Sequence, residues 1–195
     1  MQQAPQETGW IEVICGGMFS GKTEELIRRM RRAEIAKQNI VLFKPRMDDR
    51  YATDFVISHD KRVIEAVSVD EAKQIEVLAK NYDVVGIDEV QFFGPEIVEV
   101  CEYLANKGKR VIVSGLDQDY LGQPFDPMPT LLCVAEYITK ELAICVVCGN
   151  PADRTQRIID EQERVVIGGN EFYEARCRKC FKPGILTKAE IEDDY

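Results

Sequence analysis

Residues 16–23 read Gly16-Gly17-Met18-Phe19-Ser20-Gly21-Lys22-Thr23, and this octet decides the architecture. It fits the pattern G-x-x-x-x-G-K-[ST], and its flanks supply the context such a loop needs. Before it, Ile11 to Cys15 is a compact apolar run, which predicts a buried strand. After it, Lys22 to Lys37 carries Leu26, Met30 and Ala33 three or four apart, which predicts an amphipathic helix. Gly16 and Gly21 permit backbone angles that turn successive N–H groups inward, toward an anion. The helix start adds its positive dipole end. Lys22 is placed to neutralise the outer phosphates of a nucleotide and Thr23 to ligate Mg²⁺, so Gly16 to Thr23 form the candidate nucleotide-binding set. A chance match in a chain of this glycine content is on the order of 1%.

Working outward, Ile40 to Phe43 is a second strand, stopped by Pro45. Met47 to Asp60 holds no clean period and is expected to be a loop with a short hairpin. Val69 to Leu78 predicts a helix with Asp70 as its N-cap, Val84 to Ile87 a strand, Pro95 to Asn106 a helix with proline in its first turn, and Arg110 to Ser114 a strand. Strands that are apolar throughout and alternate with helices imply a mostly parallel sheet covered on both faces.

The strand at 84–87 ends in Asp88-Glu89. Beside a phosphate loop an acidic group holds Mg²⁺ or its waters, and Asp88 fits that role. Glu89 then falls at the carboxyl end of the sheet, where open α/β folds bind ligands, and a carboxylate there can accept a proton from an attacking hydroxyl. A solvated pair of acids is the bland alternative. The adjoining phosphate loop tips the balance to function.

Cys145-x2-Cys148 and Cys177-x2-Cys180 are two knuckles with 28 residues, 149–176, between them. Four thiolates make a closed tetrahedral Zn²⁺ site, which is structural, and the intervening residues must leave it and return as a long loop. Cys15, Cys101 and Cys133 lie in apolar contexts and are expected in the core. Arg28, Arg29, Arg31 and Arg32 read as a solvated helix face with acidic partners. Phe92, Phe93, Tyr120, Phe125 and Tyr173 could line a pocket for a base, although aromatics in such numbers more often build a core. His59, the only histidine, is expected to make a local loop hydrogen bond.

The whole chain has 195 residues with 25 Lys+Arg against 34 Asp+Glu, a net charge of −9. An acidic surface argues against general nucleic-acid or anionic-membrane binding. The first dozen residues carry no apolar targeting core, no run reaches the roughly 18 apolar residues of a membrane span, and seven cysteines fit a reducing, cytoplasmic setting without disulfides. The expected organisation is a disordered tail at 1–9, a phosphate-loop domain at 10–144, a zinc-binding domain at 145–187 and an acidic tail at 188–195.

Taken together, the octet at 16–23, Asp48-Asp49-Arg50-Tyr51, Asp88-Glu89-Val90-Gln91-Phe92-Phe93, Gly115-Leu116-Asp117, Pro124-Phe125, the paired CxxC motifs and Ile167-Gly168-Gly169 resemble the cytosolic, zinc-containing (type II) thymidine kinases. The resemblance spans nearly all of residues 10–182. It implies a P-loop NTPase fold of RecA-like type with a small zinc-bound lasso, and transfer of the γ-phosphoryl group of ATP·Mg²⁺ to the 5′-hydroxyl of thymidine, or of deoxyuridine, in nucleotide salvage. It makes Glu89 the general base, gives Arg50 contact with the 5′ end, and puts Asp48 near the sugar or Mg²⁺. Met18, Phe92, Leu116, Phe125, Thr155 and Tyr173 match positions lining the nucleoside pocket, while backbone groups around Val166, Ile167 and Gly168 read thymine from the lasso. Members are typically homotetramers inhibited by dTTP. Val90 replaces the glycine of many animal members and Thr23 the serine of some. The Asp-Glu-Val-Gln wording and short tail resemble bacterial members. Two other classes share some of these features: a nucleic-acid remodelling ATPase and a zinc-stabilised nucleotide switch. The first ordinarily needs a second motor domain, which 195 residues cannot hold.

Overall fold

The computed structural model describes residues 8–46, 55–57, 63–161, 163, 166 and 168–184, with backbone only at 55–57 and 63. Six strands form one sheet: β1 (Trp10–Cys15), β2 (Ile40–Pro45), β5 (Val67–Val69), β6 (Val84–Ile87), β7 (Arg110–Gly115) and β8 (Tyr137–Lys140), in the order β5-β2-β6-β7-β1-β8. Every neighbouring pair in it is parallel. The strand leading into the phosphate loop, β1, is therefore separated from the acid-bearing β6 by β7 alone.

Alternation along β1 splits the core in two. Ile11, Val13 and Cys15 join an apolar cluster with α2 (Ala72–Leu78), α3 (Glu96–Asn106) and α4 (Met128–Val134). Ile14 faces the other way, onto Leu26, Ile27 and Met30 of α1 (Lys22–Ile35). Full burial of each such side chain stabilises the fold by about 1.5–3 kcal/mol, so the two faces are held mainly by apolar burial. α1 stops two residues short of the expected end because Lys37 takes a left-handed conformation, with its N–H on the carbonyl of Glu34. Its basic face has the expected acidic partners: Arg28 and Arg29 both pair with Glu25. Arg29 also turns inward to Glu12, which Arg110 shares.

Three local expectations are corrected. Val69 ends a strand rather than starting a helix, because Val67 to Val69 pair in register with Phe43 to Pro45. The helix behind it begins at Ala72 with Glu71 as N-cap, and the Gln74 side-chain oxygen accepts the N–H groups of Asp70 and Glu71. Pro95 likewise caps α3 rather than entering it. Cys133 is exposed, whereas Cys15 and Cys101 are buried as expected. In the 47–60 region, β3 (Phe55–Ile57) pairs antiparallel with β4 (Val63–Glu65), and His59 lies outside the described residues.

Beyond β8 the chain builds two small antiparallel pairs: β9 (Ala143–Ile144) with β10 (Pro151–Ala152), and β11 (Arg154–Arg157) with β12 (Tyr173–Arg176). Among the described residues their apolar core is Ala143, Cys145, Ala152, Ala175 and Cys177, with Val147, Cys180 and Phe19 of the phosphate loop packed against it. Among the described residues no helix is long and apolar enough to cross a membrane.

Candidate active site

The phosphate loop has the geometry its glycines allow. Gly16 and Gly21 sit at φ 143° and 90°, and a Cβ on Gly16 would lie 2.2 Å from the carbonyl oxygen of Glu141. The Ser20 hydroxyl and the Lys22 ammonium both donate to the carbonyl of Gly17, at 2.8 and 2.7 Å. Lys22 is 8% exposed. Burial lowers its pKa, opposed by the negative charges of Glu89, Asp88 and Asp117. An anion entering the loop would take over from Gly17 as the partner of a cation already in place.

Asp88, at the end of β6, faces this loop. Thr23 Oγ1 lies 3.2 Å from one carboxylate oxygen, and the other accepts the backbone N–H of Glu89 at 3.0 Å. Burial, and then repulsion from Glu89, push the Asp88 pKa up to about 6. A buried carboxylate that resists ionisation beside a hydroxyl is a fit for a cation, which would supply the missing counter-charge. Glu89 itself has φ 50°, a left-handed conformation uncommon for a residue with a side chain and a frequent mark of functional positions. Its carboxylate accepts from Gln91 Nε2 at 2.5 Å, while Gln91 Oε1 accepts the N–H of Leu116 at 3.1 Å.

Lys22, Thr23 and Glu89 open into a cavity of about 460 Å³, within the usual range for small-molecule sites. Met18, Phe19, Lys22 and Thr23 form its floor and Glu89 its side. Phe92 and Phe125 meet edge to face, with centroids 6.1 Å apart, and Leu116 adds apolar wall. From the second half of the chain come Thr155, Val166, Gly168 and Tyr173. Thr155 is anchored to the loop itself, because its Oγ1 accepts the N–H of Met18 at 3.0 Å. Of the candidate aromatics, Phe93 goes to the core, whereas Phe92, Tyr120, Phe125 and Tyr173 line the cavity. Gly16, Gly17 and Ser20 remain in the loop behind it. Asp48, Arg50 and Ile167 lie outside the described residues.

The four cysteines converge. The sulfurs of Cys145, Cys148, Cys177 and Cys180 all lie within 4.8 Å of one another, with Cys148 3.5 Å from both Cys177 and Cys180. A tetrahedron with Zn–S bonds near 2.3 Å has edges of about 3.8 Å, so the cluster fits that ion. Without an ion the four thiols perturb one another. The backbone N–H of Asn150, together with neighbouring thiols, lowers Cys148 to about 6. Cys180, which donates to it, is pushed up to about 12. Four sulfurs this close become thiolates together only around a cation.

Two contributors have no role that the sequence alone assigns. Gln91 joins Glu89 to Leu116 of the cavity wall, and its place inside the Asp88–Phe93 motif is the available hint. Arg157 also lines the cavity. An arginine in a polar stretch reads as a surface residue, yet this one is completely buried.

Comparison with known proteins agrees with this arrangement. Residues 9–181 match the family described as thymidine kinase. A thymidine kinase of Rhodothermus sp. (strain ITI 518) is 61% identical over 175 residues, covering 90% of this chain and 82% of that protein. One from Bdellovibrio bacteriovorus (strain ATCC 15356 / DSM 50701 / NCIMB 9529 / HD100) is 53% identical over 178 residues, 91% of this chain and 87% of that protein. With its parallel sheet, phosphate loop, acidic strand end and four-cysteine cluster, the chain belongs to the thymidine kinase family.

Proposed function

We propose that this protein transfers the γ-phosphoryl group of ATP to the 5′-hydroxyl of thymidine, and of deoxyuridine, giving the 5′-monophosphate and ADP. The observation that carries the proposal is the one cavity that Lys22, Thr23 and Glu89 line together with Thr155, Val166, Gly168 and Tyr173, with Asp88 directly behind it on the Thr23 hydroxyl. The backbone amides of residues 16–23 receive the triphosphate, with Lys22 on its outer phosphates. Thr23 and Asp88 would hold Mg²⁺, whose charge would shield the negative charge on the transferring group. Glu89 accepts the proton of the 5′-hydroxyl as its oxygen attacks phosphorus in line and ADP leaves. Gln91 holds the carboxylate from behind. Arg50 contacts the 5′ end and Asp48 the sugar or the metal. Phe92, Leu116, Phe125 and Met18 enclose the base and sugar, and the backbone from Val166 through Ile167 to Gly168 reads the edge of thymine. Closure of that segment excludes water, which would otherwise take the phosphoryl group.

Zn²⁺ bound by Cys145, Cys148, Cys177 and Cys180 roots the lasso. The expected units are a phosphate-loop domain at 10–144 and a zinc-binding lasso domain at 145–187. The nucleoside and phosphate sites are continuous, so the end product dTTP can fill both at once, and this supports feedback inhibition. The family resemblance supports a cytoplasmic homotetramer.

An assay with γ-labelled ATP across the common nucleosides tests the activity. Label should appear in thymidine 5′-monophosphate and, with deoxyuridine, in its monophosphate. ATP turnover with no labelled pyrimidine nucleotide would refute the proposal. Inhibition by dTTP should be relieved by excess thymidine or ATP, and sedimentation should give four times the mass of the chain.

A further inference from the structure

We infer that Arg157 is a positioning residue: it suspends the thymine-reading segment of the lid from the phosphate-loop half of the molecule and thereby sets nucleoside affinity. The inference rests on the proposed assignment of Val166 to Gly168 to the base.

Arg157 ends β11 opposite Tyr173, and none of it is exposed. Burying a guanidinium is costly unless its donors are matched, and here its two terminal nitrogens, Nη1 and Nη2, are directed at the lid. Nη1 donates to the carbonyl of Glu161 at 3.0 Å and to that of Glu163. Nη2 donates to the Tyr173 hydroxyl at 2.9 Å. A guanidinium has no acceptor, so the phenol oxygen must be the acceptor in that bond. Its hydrogen is then committed to the carbonyl of Val166, 2.8 Å away. Three lid carbonyls, at 161, 163 and 166, thus hang from one cation, two directly and one through Tyr173.

The other face of the group explains why the lid is held over the cavity and not elsewhere. The guanidinium carbon lies 3.6 Å from the centroid of the Tyr120 ring, and Tyr120 belongs to the segment following β7, alongside Leu116 and Phe125. Cation–π contact with a desolvated partner is at the strong end of its range. The four cysteines gather the stems of the hairpins at one end, and Arg157 ties the far end to the wall of the nucleoside pocket. None of these contacts involves residues 16–23, so ATP binding should be indifferent to them.

The test uses the full-length, zinc-loaded protein carrying Arg157→Lys or Tyr173→Phe. Lysine keeps the charge without the planar fork, and phenylalanine keeps the ring without the relay. Both should raise the thymidine KM, about tenfold for Arg157→Lys and less for Tyr173→Phe, with the ATP KM and the zinc content within twofold of the parent. The double variant should be less than multiplicative, because both changes cut one chain of contacts. Hydrogen exchange across 158–173, measured without any ligand, should be faster in Arg157→Lys. An unchanged thymidine KM, equal rises in both KM values, or unaltered exchange would overturn the positioning role. Faster exchange in a protein whose parent form does not phosphorylate thymidine would leave the anchor standing and refute the assigned substrate.

Discussion

The two halves of the molecule that meet at the cavity are built on different physics. The phosphate-loop half is a parallel sheet whose central strands are mainly apolar on both faces and whose two clusters are closed by helices. Among its described residues the cysteine-bearing half has five small residues for a core, and the two largest fully buried side chains there are arginines, Arg157 and Arg176. Arg176 pairs with Glu174, and Arg157 holds carbonyls. Apolar burial gives the first half a rigid frame without any ligand. The second half depends on four sulfurs and buried hydrogen bonds, whose net worth is small but whose loss is expensive. The division suits the proposed chemistry. Phosphoryl transfer needs an unyielding cradle, whereas nucleoside entry needs a lid whose stability can be set locally.

The largest effect should come from the rigid side. Glu89→Gln removes the proton acceptor while keeping the shape and the Gln91 contact, so kcat should fall by about 10²–10⁴, with ATP affinity nearly unchanged. Steady-state kinetics beside ATP titration checks this, and retained kcat would remove Glu89 from its role. Next comes the metal. Cys177→Ser should lower the zinc content from about one per chain and loosen the lid while the sheet keeps its far-ultraviolet dichroism. Metal analysis of freshly reduced parent protein that finds none would contradict the site.

A smaller, pH-dependent effect falls on Asp88. Its carboxyl is raised to about 6 in the fold against 3.8 ordinarily. The sign follows from the folded state holding the proton more tightly: ligand-free stability falls as pH rises from about 4 to 6. Below about 6 protons compete with Mg²⁺, so the Mg²⁺ concentration for half-maximal activity should rise about tenfold per pH unit. Asp88→Asn should raise the ligand-free Tm at pH 7.5, by roughly 2–4 °C per kcal/mol relieved, while abolishing the Mg²⁺ dependence together with activity. A lowered Tm would contradict the burial argument. The smallest effect belongs to the surface. Arg28→Ala removes an exposed i,i+3 pair with Glu25 and should cost about 0.2–0.5 kcal/mol in denaturant unfolding.

The same contrast explains which parts were legible in the sequence. β1, β6 and β7 are mainly apolar, interrupted only by Glu12 in β1 and by Arg110 and Ser114 at the ends of β7, because both their faces are covered. The octet at 16–23 and the CxxC pairs announce themselves because backbone angles and metal geometry demand particular residues at particular spacings. α4 and β8 went unassigned. Pro127 and Pro129 interrupt the helical pattern of 128–134, and Tyr137-Ile138-Thr139-Lys140 is a polar edge strand. At 67–71, pairing with β2 outweighed the helical pattern that made Asp70 look like a cap. Gln91 and Arg157 were not legible as site residues because their roles lie in contacts with Leu116, Tyr120 and Tyr173, which only the folded chain brings near.

The division of labour between the halves is tested most directly by stripping the metal with a chelator and measuring ATP and thymidine binding on the same sample by calorimetry. ATP affinity should stay within a few-fold of the metal-loaded protein while thymidine binding is lost, and re-addition of Zn²⁺ should restore it. Loss of both ligands together, or thymidine binding that survives the loss of metal, would contradict a nucleotide cradle that stands alone and a nucleoside lid that does not.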